Sequence, residues 1–169
     1  ELYSQDYLEM QTKRGDQVLA SVAEFAKPEY GVDLFKLESP VAAANADGSQ
    51  AVQDLFDQMG DLAGRPWVML SAGANKTSFR DVLRHAFKAG ASGFLAGRAI
   101  WQDAFQAYPQ WDEFVSKLQS DGLPYLDEIS QLAEDQARPW RQHPCYGASG
   151  AVFHPADHSF RHDYASIKA

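Results

Sequence analysis

At 169 residues the chain is long enough for one modest domain with a real core. Its hydrophobic fraction of 45% and aromatic fraction of 12% are those of an ordinary soluble globular protein. Its net charge of −8, from 15 basic and 23 acidic residues, argues against general nucleic-acid binding but leaves room for a locally positive pocket for a small anion.

The single cysteine, Cys145, excludes an intrachain disulfide and fits a reducing compartment, the cytoplasm. No stretch approaches the ~20 apolar residues of a membrane span, and no secretory signal is visible. The chain opens on Glu1 without an initiator Met, which allows processing or truncation at that end.

In chain order, Glu1-Leu2-Tyr3-Ser4 reads as the tail of a strand. Gly15 to Ala26 reads as a helix with Val18, Leu19, Val22 and Phe25 on one face. Leu34 to Glu38 is an apolar run bounded by Gly31 and Pro40, the pattern of a buried strand. A polar loop with Asn45, Asp47 and Gly48 follows. Ser49 is then placed to cap a helix carrying Val52, Leu55, Phe56 and Met59. Trp67 to Ser71 reads as the next strand, Ala72–Asn75 as a turn, and Thr77 as the cap of a helix reaching Ala89. Phe79, Val82, Leu83, Ala86 and Phe87 form the buried face of that helix. Gly93 to Gly97 reads as a fourth strand, Arg98–Gln102 as the start of a short helix, and 111–118 and 125–137 as longer helical runs. The unit recurs at roughly thirty residues, the length of a βα unit, and alternating units imply a parallel sheet. A (β/α)₈ barrel needs eight strands and about 250 residues, so the pattern fits a small open α/β domain or the C-terminal half of a barrel. From Pro139 onward no period is clear, and residues 141–169 read as an extended tail that wraps over a neighbour or is partly mobile.

Lys36 carries the most chemical information. Lysine is almost never buried unless it is paired or used, and a strand environment that desolvates it favours the neutral, nucleophilic amine. The plain alternative is a strand-end lysine whose amine reaches water. Strand alternation puts Leu34, Lys36 and Glu38 on one face and Phe35 and Leu37 on the other. Leu70-Ser71-Ala72-Gly73 and Ala96-Gly97-Arg98 each end a strand in a small-residue turn before a helix. Consecutive N–H groups and helix N-termini make such turns anion sites, and Arg98 adds a bidentate charge. Each turn alone is weak; both, following a candidate Schiff-base lysine at barrel spacing, form a constellation.

Three segments carry a resemblance. Asp33-Leu34-Phe35-Lys36-Leu37-Glu38-Ser39-Pro40, Leu70-Ser71-Ala72-Gly73 and Ala89 through Trp101 resemble the class I aldolases of the tagatose 1,6-bisphosphate aldolase family, to which sulfofructosephosphate aldolase is close. Ala137-Arg138-Pro139-Trp140 is similar to the family's C-terminal motif. The resemblance covers roughly residues 1–140 and implies a (β/α)₈ TIM barrel of which the chain holds strands five to eight, with Lys36 on the sixth. It implies that Lys36 forms the Schiff base and that Glu1 is the acid/base glutamate. It also implies that Ser71, Ala72, Gly73, Ala96, Gly97 and Arg98 hold the substrate phosphate. Glu1 read without the resemblance is a solvated terminal carboxylate, and Glu38 is an alternative charge partner for Lys36. The expected activity is metal-free and cofactor-free cleavage of a phosphorylated ketose to dihydroxyacetone phosphate and a three-carbon aldehyde, with a homo-oligomer as the full-length assembly. A sugar-phosphate sensor without turnover, or an inert fragment, is the rival.

The remaining signals are weaker. His154, His158 and His162 recur every four residues, but Pro155 argues against the helix that would align them for a metal. His85 reads as a surface or interface histidine. Trp67 and Trp101 read as packing residues, and the acid-rich stretch 112–135 as a solvated helix face.

Overall fold

A computed structural model describes residues 14–152. Glu1, the expected Glu1–Ser4 strand, and His154, His158 and His162 lie outside the described residues. Three strands, β1 (Phe35–Leu37), β2 (Trp67–Leu70) and β3 (Gly93–Leu95), form a parallel sheet in the order β1-β2-β3. The register pairs Lys36 with Val68 and Val68 with Gly93, so the alternation of side chains runs in step across the sheet. Phe35, Leu37, Trp67 and Met69 all point to one face and are buried there. On the other face Leu34 and Leu95 are exposed, as is Lys36, while Val68 and Leu70 are half-buried. All-parallel sheets are ordinarily covered on both faces; here the described residues cover one.

The cover is helical. Helix α1 (Arg14–Phe25) packs on α2 (Gln50–Ala63), α2 on α3 (Lys76–Lys88), and α3 on α6 (Leu123–Gln136). Between α3 and α6 in sequence lie α4 (Arg98–Phe105), α5 (Trp111–Lys117) and a π-helical segment, Leu118–Gly122. The expected faces of α2 and α3 are largely the observed ones. Phe56 and Met59 are fully buried, as are Phe79, Val82, Leu83, Ala86 and Phe87, and each large side chain among them stabilises by roughly 1.5–3 kcal/mol. In α1, Leu19 and Val22 are buried but Phe25 is half exposed, its ring tilted against that of Tyr30 with centroids 5.2 Å apart. Gly60 lets α2 meet the end of α3: a Cβ there would stand 2.7 Å from the Ala89 carbonyl.

The caps divide. Ser49 Oγ accepts from the Val52 N–H at 3.4 Å, as the sequence suggested. Thr77 is not the cap of α3; Asn75 is, its Oδ1 accepting from the Ser78 N–H at 2.9 Å. The Asn75–Ser78 spacing places a carboxamide at the third helical N–H, which Thr77 lies too late to reach.

His85 is not a surface residue. It is 9% exposed and its ring stacks on Phe56 at 5.4 Å. After α6 the Arg138 N–H donates to the Ala91 carbonyl (3.0 Å), and short 3₁₀ turns occupy Trp140–Gln142 and Pro144–Tyr146. Among the described residues no helix is long and apolar enough to cross a membrane.

Candidate active site

The ends of the three strands meet in one depression of about 410 Å³. Lys36, Leu70, Ser71, Ala72, Gly73, Leu95, Ala96, Gly97 and Arg98 line it. Every candidate residue of the sequence reading except Glu1 is therefore brought together. Lys36 points from the middle of β1 onto the uncovered sheet face because its neighbours Phe35 and Leu37 are drawn under the helices. The buried environment expected for its amine is not supplied by the described residues: Lys36 is exposed.

The turn after β2 is built from backbone bonds. The Ser71 N–H donates to Leu95 O (3.1 Å), continuing the sheet, and the Ala74 N–H donates back to Ser71 O (2.8 Å). Between them Ala72 takes φ +49° and Gly73 φ +76°. A left-handed alanine costs roughly 1–2 kcal/mol, and such outliers persist where surrounding structure over-determines them, often at functional sites. Gly73 has a second reason to lack a side chain: a Cβ there would stand 3.0 Å from the Arg98 guanidinium carbon. Arg98 thus lies flat over the Gly73 backbone, brought there by the short turn at Gly97 that starts α4.

The electrostatics follow from the lining. Two cations, Lys36 and Arg98, border the depression, and among the described residues no carboxylate does. Neither forms an ion pair among the described residues. The N-terminus of α4 adds its partial positive charge. The depression is suited to an anion held beside a primary amine. Glu38 is not the partner of Lys36: its Oε2 accepts from Arg14 Nη2 at 3.1 Å.

Arg14 was not singled out by sequence reasoning. Its Nε also donates to the Ser39 carbonyl at 3.0 Å, tying α1 to the chain just after β1. Among the described residues it is the one charged side chain lining a neighbouring cavity of about 250 Å³, between Ser39–Ala44 and Ser71–Ala74. The signal that could have found it is its place at the N-terminal end of a helix, where a cation opposes the helix macrodipole unless it has a partner elsewhere. Among the described residues no three His, Cys, Asp or Glu side chains converge as for a metal ion.

Fold and site together define a parallel α/β protein whose strand ends converge on an anion-suited pocket holding a lysine. The comparisons name the group. A family profile described as DeoC/LacD family aldolase matches residues 1–103, and the chain belongs to that family, which is of the TIM-barrel class. It is 35% identical over 137 residues to a tagatose 1,6-diphosphate aldolase of Listeria monocytogenes serotype 4a, covering 73% of this chain and 40% of the relative. The protein of the same name from Listeria innocua stands at the same identity and coverage. The Staphylococcus aureus (strain bovine RF122 / ET3-1) protein of that name is 32% identical over 133 residues, covering 70% of this chain and 40% of the relative. The chain thus spans about two fifths of the length of the curated relatives it matches.

Proposed function

We propose that the chain is the C-terminal half of a class I aldolase barrel, strands five to eight in residues 1–140, with residues 141–169 as a tail. In this reading β1, β2 and β3 are the sixth, seventh and eighth strands, and the uncovered sheet face is the barrel interior. The observation that carries the reading is the depression in which Lys36, the Ser71–Gly73 turn and the Ala96–Arg98 turn meet, with Lys36 and Arg98 as its two cations among the described residues. The relatives' name, tagatose 1,6-diphosphate aldolase, supplies the substrate class.

Neutral Lys36 attacks the ketone carbon of a phosphorylated ketose, and loss of water leaves an iminium. The iminium accepts the electron pair of the breaking C3–C4 bond while the C4 hydroxyl gives its proton to a carboxylate, Glu1 in this reading. The aldehyde leaves; the enamine is protonated at C3 and hydrolysed, releasing dihydroxyacetone phosphate and restoring Lys36. Arg98, the Ser71–Gly73 backbone and the N-terminus of α4 hold the phosphate so that the ketone stays over the amine. The polypeptide that completes the barrel supplies the remaining walls and the desolvation of Lys36. The assembly is a cytoplasmic homo-oligomer.

The test is turnover of two ketoses, tagatose 1,6-bisphosphate and 6-deoxy-6-sulfofructose 1-phosphate, followed through dihydroxyacetone phosphate release. Cleavage of the first in preference to the second is expected. Saturable binding of both without cleavage would replace the enzyme with a sugar-phosphate sensor.

A further inference from the structure

One wall of the cavity beside the site, which shares the Leu70–Gly73 segment with it, depends on a side chain that lies behind it. The chain after β1 passes through Ser39, Ala42, Ala43 and Ala44, which face Ser71–Ala74 across the 250 Å³ cavity. This wall contains a three-residue 3₁₀ turn, Ala43–Asn45; Pro40 and Ala46 are buried and Val41 and Ala43 pack on the core, and a polar tether adds to that apolar anchorage in ordering the segment. Its far end is held from the helix layer. His85 Nε2 lies 2.7 Å from the Asp47 carbonyl; a carbonyl only accepts, so Nε2 carries the proton. His85 Nδ1 meets Gln53 Oε1 at 2.8 Å; an amide oxygen also only accepts, so Nδ1 is the donor in this contact too. Gln53 Nε2 in turn donates to Asp57 Oδ1 (2.8 Å) and to the His85 carbonyl (3.3 Å), which fixes the amide's orientation. His85 and Gln53 are 9% and 3% exposed, two of the few buried polar residues beneath a helix layer otherwise filled by Phe, Val, Leu and Met. The Asp47 carboxylate is occupied on its own side, accepting from the Ser49 N–H at 3.0 Å. Asp47 itself is exposed; at the buried Gln53 end an orphaned partner costs more than the bond contributes.

We infer that His85 is a positioning residue for the aldolase site. By holding the Asp47 carbonyl it sets the Ser39–Asp47 wall against the Ser71–Ala74 turn, and so sets how tightly the ketose phosphate is gripped. The role rests on the proposed aldolase activity for its kinetic consequence; the tether itself does not.

Asn and Gln at this position separate the two ends of the imidazole. An Asn amide lies where Nδ1 lies and can meet only Gln53; a Gln amide reaches the Nε2 position and can donate to Asp47 O. In the full chain, His85→Asn is expected to raise KM for tagatose 1,6-bisphosphate about tenfold, with kcat little changed, the pattern of lost uniform binding. His85→Gln restores KM. Deuterium exchange of amides 41–49 quickens in the Asn variant and not in the Gln variant. Met59→Ala, a core deletion in α2, lowers Tm without moving KM. If the Asn variant does not fold, His85→Ala with added imidazole takes its place, and KM falls as imidazole rises. Equal KM and equal loop exchange in the Asn and Gln variants would overturn the inference, as would a Met59→Ala variant with the same KM defect. Absence of ketose cleavage in the unsubstituted chain would defeat the aldolase reading alone, and the exchange comparison would still decide the tether.

Discussion

Gly73→Ala tests the geometry of the anion pocket most sharply. The new Cβ would stand 3.0 Å from both Cζ and Nη2 of Arg98 and 3.3 Å from Nη1. Comfortable contacts between such atoms begin near 3.5 Å, so the guanidinium must retreat by about half an ångström or more. It can do so cheaply, being the far end of a flexible side chain. The cost to the fold is then mainly the left-handed backbone at φ +76°, about 1 kcal/mol. The cost to the site is larger. A bidentate Arg–phosphate pair works at about 2.8 Å, and half an ångström breaks it. Hydrogen bonds to charged groups contribute about 1.5–3 kcal/mol, so phosphate-bearing substrate should bind roughly tenfold to a hundredfold more weakly. Steady-state kinetics with tagatose 1,6-bisphosphate should show this in KM. Arg98→Lys removes the same bidentate contact by another route, so the double variant should be little worse than either single one. A Gly73→Ala variant with KM within twofold of the parent, or strictly additive effects with Arg98→Lys, would refute the reasoning.

Three further outcomes are expected. The Tyr125 hydroxyl donates to the Lys76 carbonyl at 2.9 Å, and burial pushes its pKa up to about 12. Its folded value lies above the unfolded one near 10, so the stabilisation is complete below about pH 10 and is lost between about 10 and 12; ultraviolet titration should show one late-titrating tyrosine whose ionisation accompanies unfolding, absent in Tyr125→Phe. Burial, then the nearby Arg138 and Arg65, hold His143 below the usual imidazole range, and its Nδ1 accepts from the Cys145 N–H at 3.3 Å. Stability from this group is present above pH ~6.5 and falls as pH drops through the folded value, so Tm should decline from pH 7 to 5 and the decline should flatten in His143→Gln. Asn75→Ala removes the cap of α3 and should cost about 1 kcal/mol in urea unfolding, whereas Thr77→Ala should cost little.

What could be read in the sequence was what depends on neighbours. The alternation in Phe35-Lys36-Leu37 follows from the period of a strand, and it places Lys36 opposite the buried pair whatever the rest of the chain does. The buried face of α3 follows in the same way from its helical period. The Ser71–Gly73 turn was legible because Gly73, at φ +76° and close against Arg98, leaves few residue choices; Gly97, at φ −132°, carries no such requirement. What could not be read depends on partners distant in sequence. Glu38 looked available to Lys36 until α1 brought Arg14 against it. His85 looked like a surface residue because Gln53 and the Asp47 carbonyl, which satisfy its ring, come from another helix and the loop before it. The strand pattern left Lys36 open between a desolvated amine and one that reaches water, since desolvation is a property of whatever covers the sheet and not of the strand that carries the lysine.

The central claim is that Lys36 forms a Schiff base. The direct measurement is borohydride reduction in the presence of dihydroxyacetone phosphate, read by peptide mass spectrometry on chain whose circular dichroism shows the α/β fold. The account predicts a reduced adduct on the peptide carrying Lys36 and none in a Lys36→Met variant, which should fold normally because the side chain is exposed. An adduct on another lysine, or none on the folded chain, would contradict it.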